Sequence, residues 1–280
     1  MTVTISIQVM DGVVIGADST SSLSTGGHDV SNTYDNANKI VNICKGKPIG
    51  LYFWGTGSIG NSSLTTLAKD LRRRFAGDDD LNDPWRLDTN NWTVHSVAEQ
   101  VRQFFYEDAY TRVYEHAPEP DSDTGIAICG YSPGREVSER YEVVFGRNGC
   151  DGPGNEEPDG QLEDLVPRGV TDPITRLVLG VSLDLPNILV NDLGLPAENL
   201  DAALRILLGK LNNTPVHAAM PIQDAVDLAD FLVELTKQWV RFLPGAPTVG
   251  GPTEVAAITK HEGFKWVKRK FYYESNLNPE

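Results

Sequence analysis

The sequence predicts an α+β fold in which the strands are antiparallel. Three observations support this class. Strand patterns and helix patterns arrive in separate blocks, in the order strands, two helices, strands, one or two helices, strands. Short turns separate the strands within a block, and such turns join antiparallel neighbours. Helices that arrive in separate blocks fit layers packed on the faces of sheets.

The chain begins with a pattern typical of two paired strands. Within residues 2–9, apolar and polar residues alternate, which is the period of a half-buried strand. Asp11-Gly12 then predicts a tight hairpin turn. Residues 13–17 are apolar throughout and predict a second strand, which ends on Asp18.

The middle of the chain combines one loop with further strands and two helices. Residues 19–37 are rich in Ser, Thr, Gly and Asn and predict an irregular loop. The elements that follow are strands over residues 39–43 and 49–54, helices over 61–76 and 93–116, and strands over 125–130 and 141–145. The first helix has leucines at helical spacing, and Asn61 or Ser62 is its expected cap.

The C-terminal half opens with residues 146–170, where Gly, Pro and acidic residues predict a mobile surface loop. Residues 176–181 predict a strand, and residues 197–211 predict a helix. Pro221 is expected in the first turn of a long helix, where its missing N–H is not needed. Two final strands are predicted over residues 254–259 and 264–271.

Composition excludes several classes of function. The 280 residues include 24 Lys and Arg against 39 Asp and Glu, a net charge of −15 that argues against a nucleic-acid partner. No apolar run approaches the roughly 20 residues that a membrane helix needs, so no membrane partner is predicted. The first residues have neither a basic nor an apolar signal region, and we therefore expect a cytoplasmic protein.

The usual motifs for metals and cofactors are missing from the sequence. The three cysteines are widely spaced without a C-x-x-C pair, and the five histidines have no metal-ligand spacing. The glycine-rich phosphate motifs and the G-x-S-x-G elbow are also missing. The sequence therefore predicts no metal, no cofactor and reduced thiols.

The N-terminus offers a chemical possibility of its own. Thr2 follows Met1, and removal of Met1 would leave Thr2 with a free α-amine. A hydroxyl beside its own amine combines a nucleophile and a base in one residue. The amine has a reference pKa of about 7.7–8.0, which is close to working pH.

The surrounding residues resemble the start of a mature proteasome β-subunit of bacterial type, within the N-terminal nucleophile (Ntn) hydrolase family. Thr2 and Asp18 have the spacing of that family's catalytic threonine and aspartate, with the Asp-Gly turn between them. Asn38-Lys39-Ile40 resembles the family's lysine strand. Gly55 and Gly57 stand at the family's glycine turn, and residues 249–259 resemble its Gly-Gly turn and closing strand.

The resemblance implies a fold, a reaction and an assembly. The implied fold is a four-layer αββα sandwich of antiparallel sheets, formed by a single domain over residues 2–280 with a variable insertion at about 146–220. The implied function is a threonine-type amidohydrolase, expected to be a peptidase. The residues take these roles by resemblance: Thr2 as nucleophile through an acyl ester, Lys39 and Asp18 as its activating pair, and Gly55 and Gly57 as the oxyanion hole. The partners are a peptide or amide substrate and further copies in a homo-oligomeric ring.

Other interpretations of these residues stay open. The family's amine-binding serine has only weak stand-ins here, namely Thr171, Asp172 and Thr175, and residues 245–249 lack the aspartate of its Asp-x-x-Ser group. A non-catalytic structural ring subunit, or an amidase acting on a small molecule, therefore fits as well. Taken alone, Asp18 also fits a residue that stabilises the loop after its strand, and Lys39 fits a surface lysine. The basic residues near the C-terminus, Lys260 to Lys270, suggest a contact surface between subunits.

Overall fold

The structure is a computed structural model that describes residues 2–24, 30–78, 80–88, 91–153 and 164–271. The strands are β1 (Val3–Val9), β2 (Gly12–Ala17), β3 (Ser21–Ser24), β4 (Val30–Tyr34), β5 (Ile40–Val41), β6 (Ile49–Gly55), β7 (Ser58–Ile59), β8 (Ser62–Ser63), β9 (Thr124–Gly130), β10 (Glu139–Gly146), β11 (Gly149–Asp151), β12 (Asp164–Gly169), β13 (Glu254–Thr259) and β14 (Gly263–Lys268). The helices are α1 (Leu64–Ala76), α2 (Val94–Arg102), α3 (Thr111–Tyr114), α4 (Asp172–Leu179), α5 (Leu185–Asn187), α6 (Leu200–Leu211) and α7 (Ile222–Phe242). Wider π-helical turns link α2 to α3 (Gln103–Tyr110) and follow α5 (Ile188–Asp192), and a 3-10 turn (Ala197–Asn199) precedes α6.

Two five-stranded sheets form the centre of the fold. Sheet 1 has the order β12-β1-β2-β13-β14, and sheet 2 has the order β11-β10-β9-β6-β5. Neighbouring strands in both sheets are antiparallel. The predicted α+β class with antiparallel sheets is therefore confirmed.

Three apolar clusters show which faces of the sheets are covered. One cluster joins sheet 2 to α1, α2 and the π-helical segment that follows, and a second joins sheet 1 to α4 and α7. The third contains side chains from both sheets, including Ile15, Tyr52 and Ile258. Successive side chains of β1 and β2 point to opposite faces of sheet 1, as the two-residue period of a strand requires. In β2, for example, Val14 belongs to the second cluster and Ile15 to the third.

The N-terminal hairpin follows from its sequence. In β1, Val3, Ile5 and Ile7 pack toward α7, and β2 pairs with β1 in the register Val9 to Gly12. This confirms the two predicted strands. The long helix α7 is also confirmed, although Pro221 is its cap and Ile222 its first residue.

The prediction of a strand over residues 176–181 is wrong. This stretch belongs to α4 and the turn after it, and Pro173 lies in the first turn of the helix. Ile174 and Val178 are both buried, four residues apart, which is helical spacing. A short apolar run carries too little periodicity to distinguish strand from helix.

Two segments expected to be loops contain strands. Residues 19–37 include β3 and β4, which pair with each other. Within residues 146–170, β11 pairs with β10, and β12 pairs along the whole outer side of β1. Residues 154–163 of the predicted loop lie outside the described residues. The insertion at about 146–220 thus contains a strand of sheet 1, and its status as an insertion stays a prediction.

The cap of helix α1 lies one residue after Ser62, the later of its two expected caps. Ser63 is the cap, and its hydroxyl accepts a hydrogen bond from the N–H of Thr66. In the described parts of the chain, no helix has both the length and the apolar character needed to cross a membrane.

Candidate functional site

The carboxylate of Asp18 is the most heavily bonded acid in the region that the sequence singled out. Asp18 follows β2 directly and is fully buried. One oxygen accepts the N–H of Val3 at 2.9 Å, and the other accepts the N–H groups of Thr20 and Gly250 at 3.1 Å each. Three backbone donors of this kind stabilise the charged form and fix the direction in which the carboxylate points.

Lys39 is the fourth partner of this carboxylate. Its Nζ lies 2.6 Å from Oδ1 of Asp18, and its side chain is 8 % exposed. Burial lowers the pKa of Lys39, and the adjacent Asp18 carboxylate opposes that shift. Because Asp18 ends a strand of sheet 1 and Lys39 directly precedes β5, the pair bridges the two sheets.

Thr2 precedes β1 and is 6 % exposed. Its carbonyl accepts the N–H of Val170 at 2.7 Å, and Gly169 packs so closely that a Cβ there would lie 1.9 Å from that carbonyl oxygen. Gly169 also has a φ of +80°, which favours glycine. The start of β1 is therefore fixed on one side by β12 and on the other by the Val3 N–H bond to Asp18.

Gly55 and Gly57 lie at the end of β6 and differ in their surroundings. Gly55 has a φ of +81°, and a Cβ there would lie 2.0 Å from the carbonyl oxygen of Asp123. At Gly57 a Cβ would meet Ser21 Oγ at 3.9 Å, which is ordinary contact, and the Gly57 carbonyl accepts the N–H of Leu64 at 3.1 Å. Gly55 therefore has a conformational reason to be glycine, whereas the space around Gly57 does not require one.

The stand-ins for the amine-binding groups have other partners. The carboxylate of Asp172 accepts hydrogen bonds from Arg176, from the hydroxyl of Ser182 and from the N–H of Leu183. These bonds hold the start of α4 and the turn after it, and burial opposes the lowering of the Asp172 pKa that they produce. Asp172 therefore has a structural role in this region.

A second buried ion pair lies beside the first, and the sequence analysis missed it. Nζ of Lys270 lies 2.9 Å from Oε2 of Glu254, with the two side chains 12 % and 1 % exposed. The same Nζ donates to Ser19 Oγ at 2.6 Å and to the carbonyl of Ala37 at 2.9 Å. The available signal was Glu254, an acid at the start of an otherwise apolar strand.

The structure thus brings together some of the predicted residues by direct contact. Asp18 and Lys39 form an ion pair, and Thr2 is tied to Asp18 through the adjacent N–H of Val3. Gly55 ends β6 and Gly57 lies in the turn after it, and the N–H of Phe53 in β6 donates to the carbonyl of Lys39 at 3.0 Å. The catalytic roles of these five residues stay predictions. Among the described residues, no cluster of three or more His, Cys, Asp or Glu side chains is placed to hold a metal ion.

Comparison with known proteins gives a structural likeness at low identity. No protein-family model matches the chain, and no curated protein matches it. The similar solved structures include Anbu (ancestral beta-subunit) from Yersinia bercovieri, with 13 % identity and a TM-score of 0.47 over 97 % of this chain and 89 % of that one. They also include the helical assembly of the Anbu complex from Pseudomonas aeruginosa, with 13 % identity and a TM-score of 0.49 over 98 % of this chain and 90 % of that one.

These findings correct the family named from the sequence. The prediction of a bacterial-type proteasome β-subunit homologue is wrong, because no family model matches and the similar structures are Anbu proteins. The physical reason lies in the motifs that carried the resemblance. Alternating residues, an Asp-Gly turn and a glycine at a strand end are common in β-hairpins, so they do not identify one family.

Proposed function

We propose that the chain is a threonine-type amidohydrolase in which Thr2, with its α-amine free, is the nucleophile. The observation that carries this proposal is the buried ion pair of Lys39 and Asp18, bonded to the backbone next to Thr2. Burying a lysine and its carboxylate partner removes both charges from water, which is energetically unfavourable, so a pair of this kind points to a function. Stabilising a developing negative charge on a neighbouring hydroxyl is such a function.

The reaction follows from the proposed roles. The Thr2 hydroxyl attacks the carbon of an amide, and its proton passes to the Thr2 amine directly or through a water. The amine then gives that proton to the leaving nitrogen as the C–N bond breaks, which leaves an acyl ester on Thr2. Water attacks the ester, the acid departs and Thr2 is restored. The Lys39 charge favours the deprotonated hydroxyl throughout, and Asp18 keeps that charge oriented.

Gly57 is the better candidate for the oxyanion hole. Gly57 lies between β6 and β7, outside the paired strands, whereas Gly55 is paired with Thr124 of β9. Backbone N–H donors at such positions typically contribute about 3 kcal/mol to the transition state. In this proposal Gly55 shapes the turn and Gly57 faces the substrate.

The four-layer αββα arrangement belongs to this proposal. Support comes from the three apolar clusters, since helices cover one face of each sheet and the third cluster joins the two sheets. In this arrangement Asp18 and Lys39 would lie at one end of the space between the sheets. Side chains from both sheets would then surround the substrate.

The test combines intact mass with covalent labelling. Purified protein is analysed by mass spectrometry for loss of Met1 and is then treated with a threonine-directed β-lactone. We expect a single adduct on Thr2, lost in Thr2→Ala and reduced in Lys39→Ala, with Lys268→Ala as a surface control. Unlabelled protein with a free Thr2 amine would contradict the proposal. Fluorogenic peptides and small amides then distinguish a peptidase from a small-molecule amidase.

A non-catalytic subunit of a homo-oligomeric ring is the second candidate. The observation that favours it is a set of exposed apolar side chains on α7: Phe231, Trp239 and Phe242 are 53 %, 43 % and 79 % exposed. Apolar surface of this kind on a folded chain is typical of contacts between subunits.

Light scattering tests the assembly. We expect a mass several times 30.7 kDa for the wild type and a smaller species for Phe242→Glu, with Gln238→Glu as a matched charge control on the same helix. A wild-type monomer would contradict assembly. An assembled protein that β-lactone does not label would favour the second candidate over the hydrolase.

A further inference from the structure

We propose that Lys270, paired with the buried Glu254, is a positioning residue that fixes the geometry and charge of the Asp18–Lys39 pair. This inference rests on the proposed hydrolase function for its chemical meaning, although its structural part is testable without catalysis. Lys270 follows β14, far from Thr2, Asp18 and Lys39 in the sequence.

The contacts of Lys270 reach both segments that present the Asp18–Lys39 pair. Its Nζ donates to the hydroxyl of Ser19, the residue after Asp18, and to the carbonyl of Ala37, two residues before Lys39. The third partner of the ammonium is the Glu254 carboxylate. Two of the three donors of the ammonium are used by Ser19 and Ala37, and the contact with Glu254 is an ion pair.

Backbone hydrogen bonds also connect the chain segments around Lys270. The N–H of Ala37 donates to the carbonyl of Ser19 at 2.8 Å, and the N–H of Ser19 donates to the carbonyl of Gly250 at 2.9 Å. The hydroxyl of Ser19 also donates to the carbonyl of Pro252 at 2.6 Å. Lys270 therefore lies where three chain segments meet, and its loss would loosen the contact between the segment after Asp18 and the segment before Lys39.

Charge gives Lys270 a second effect on the pair. Beyond burial, which is the largest cause, the Lys270 charge lowers the pKa of Lys39, while Asp18 and Glu254 raise it. Burial likewise lowers the pKa of Lys270, with Glu254 and Asp18 opposing and Arg269 adding to the shift. Asp35 is the other acid of this region and accepts the hydroxyl of Thr20 at 2.7 Å.

These charges predict shifts of opposite sign. Removing the positive charge of Lys270 must raise the pKa of Lys39, and removing the negative charge of Glu254 must lower it. In the proposed reaction Lys39 acts while protonated, so the alkaline limb of the rate profile reports its deprotonation. Lys270→Met is therefore expected to move that limb to higher pH, and Glu254→Gln to lower pH. A residue that only supports the fold would not produce such a pair of opposite shifts.

The experiment compares Lys270→Met, Glu254→Gln and the double variant with Lys268→Met. Lys268 pairs with Asp230 on the surface, which makes Lys268→Met the matched control in the same C-terminal segment. The double variant removes both charges together, so it remains informative if a single variant fails to fold. Two measurements are made: NMR titration of the isotope-labelled Lys39 side chain, and the rate of β-lactone labelling at Thr2 against pH.

We expect the Lys39 titration to move up in Lys270→Met and down in Glu254→Gln, with little net movement in the double variant. Loss of the three contacts should slow labelling by about 10-fold to 100-fold in Lys270→Met and in the double variant, because small misplacements have effects of that size. Lys268→Met should match the wild type in both measurements. The inference is overturned if Lys270→Met leaves the Lys39 titration where Lys268→Met leaves it, or if both charge variants move it in the same direction.

The two proposals fail in different ways. If wild-type protein is never labelled at Thr2, the proposed hydrolase function is wrong. The Lys39 titration still tests the role of Lys270 in that case. Conversely, if the wild type is labelled normally while the Lys39 titration in Lys270→Met does not move, the inference about Lys270 is overturned. That result does not affect the proposed hydrolase function.

Discussion

Two ionic bridges connect sheet 1 to sheet 2, and they are built differently. The first bridge is the Asp18–Lys39 pair, with side chains 0 % and 8 % exposed. The second bridge joins two residues of β10 to two residues of β12: Arg140 lies 3.1 Å from Asp164, and Arg168 lies 2.7 Å from Glu142. Its side chains are between 22 % and 36 % exposed.

The difference lies in what holds each carboxylate. Asp18 accepts three backbone N–H groups, so the fold itself determines its position. The carboxylates of the second bridge are paired with arginine side chains that water also reaches. A buried charge held by backbone donors is fixed, whereas a partly solvated pair adjusts and contributes little. The position of the first bridge is therefore set by the fold, whereas the second bridge is a partly solvated contact between the sheets.

Asp18→Asn should cause the largest loss of stability among the variants that compare the two bridges. The substitution leaves Lys39 buried without a counter-charge, and we expect a loss of about 3–5 kcal/mol in the free energy of unfolding. Asp164→Asn, in the second bridge, should lose less than about 1 kcal/mol. Urea unfolding of both variants measures the difference, and equal losses would contradict the distinction between the bridges.

Lys39→Met should have a smaller effect on stability than Asp18→Asn. The Asp18 carboxylate keeps its three backbone donors, so we expect a loss of about 1–3 kcal/mol. The same urea titration measures it. A loss larger than that of Asp18→Asn would mean that the backbone donors do not stabilise the carboxylate as described.

The stability difference between wild type and Lys39→Met should depend on pH. The pKa of Lys39 is lowered in the folded state, so at alkaline pH the unfolded state binds more protons than the folded state does. The wild type should therefore gain stability over Lys39→Met as pH rises from the lowered folded pKa toward about 10.4, the reference value for lysine. Unfolding of both proteins across pH 8–11 measures this difference in stability. If the difference falls as pH rises, the pKa of Lys39 is not lowered in the folded state.

Arg168→Gln should have the smallest effect. Arg168 is 36 % exposed and pairs with Glu142, so we expect a loss below about 1 kcal/mol. Thermal unfolding beside Arg176→Gln, a surface pair within α4, provides the comparison. A loss of several kcal/mol would show that the second bridge contributes as much to stability as the first.

The sequence predicted those elements whose periodicity is long or whose turn is specific. In the first hairpin, β1 alternates strictly, β2 is apolar throughout and an Asp-Gly step joins them, and α7 has an apolar stripe over 21 residues. The hairpin of β3 and β4 was missed because Ser and Asn dominate it, and such residues are typical of loops. Strand β12 was missed because it follows a Gly-, Pro- and acid-rich stretch and contains Pro167.

The candidate site was predicted only in part, for a related reason. The sequence related Asp18 to Lys39 through a family pattern, and the structure joins them by contact. Lys270 gave no comparable signal, because it stands in a basic run that suggested a contact surface between subunits. Only tertiary folding brings its side chain to Glu254, Ser19 and Ala37. Long-range contacts of this kind leave no local periodicity to detect.

Pro167 has a consequence for how copies of this chain can meet. It lies within β12, the outermost strand of sheet 1, opposite Ile5 of β1. Proline has no N–H to donate, and Asp164 and Arg168 place charges on the same strand. This border of the sheet therefore resists the addition of a further strand from a neighbouring molecule. Copies of this chain are therefore not expected to pair through β12.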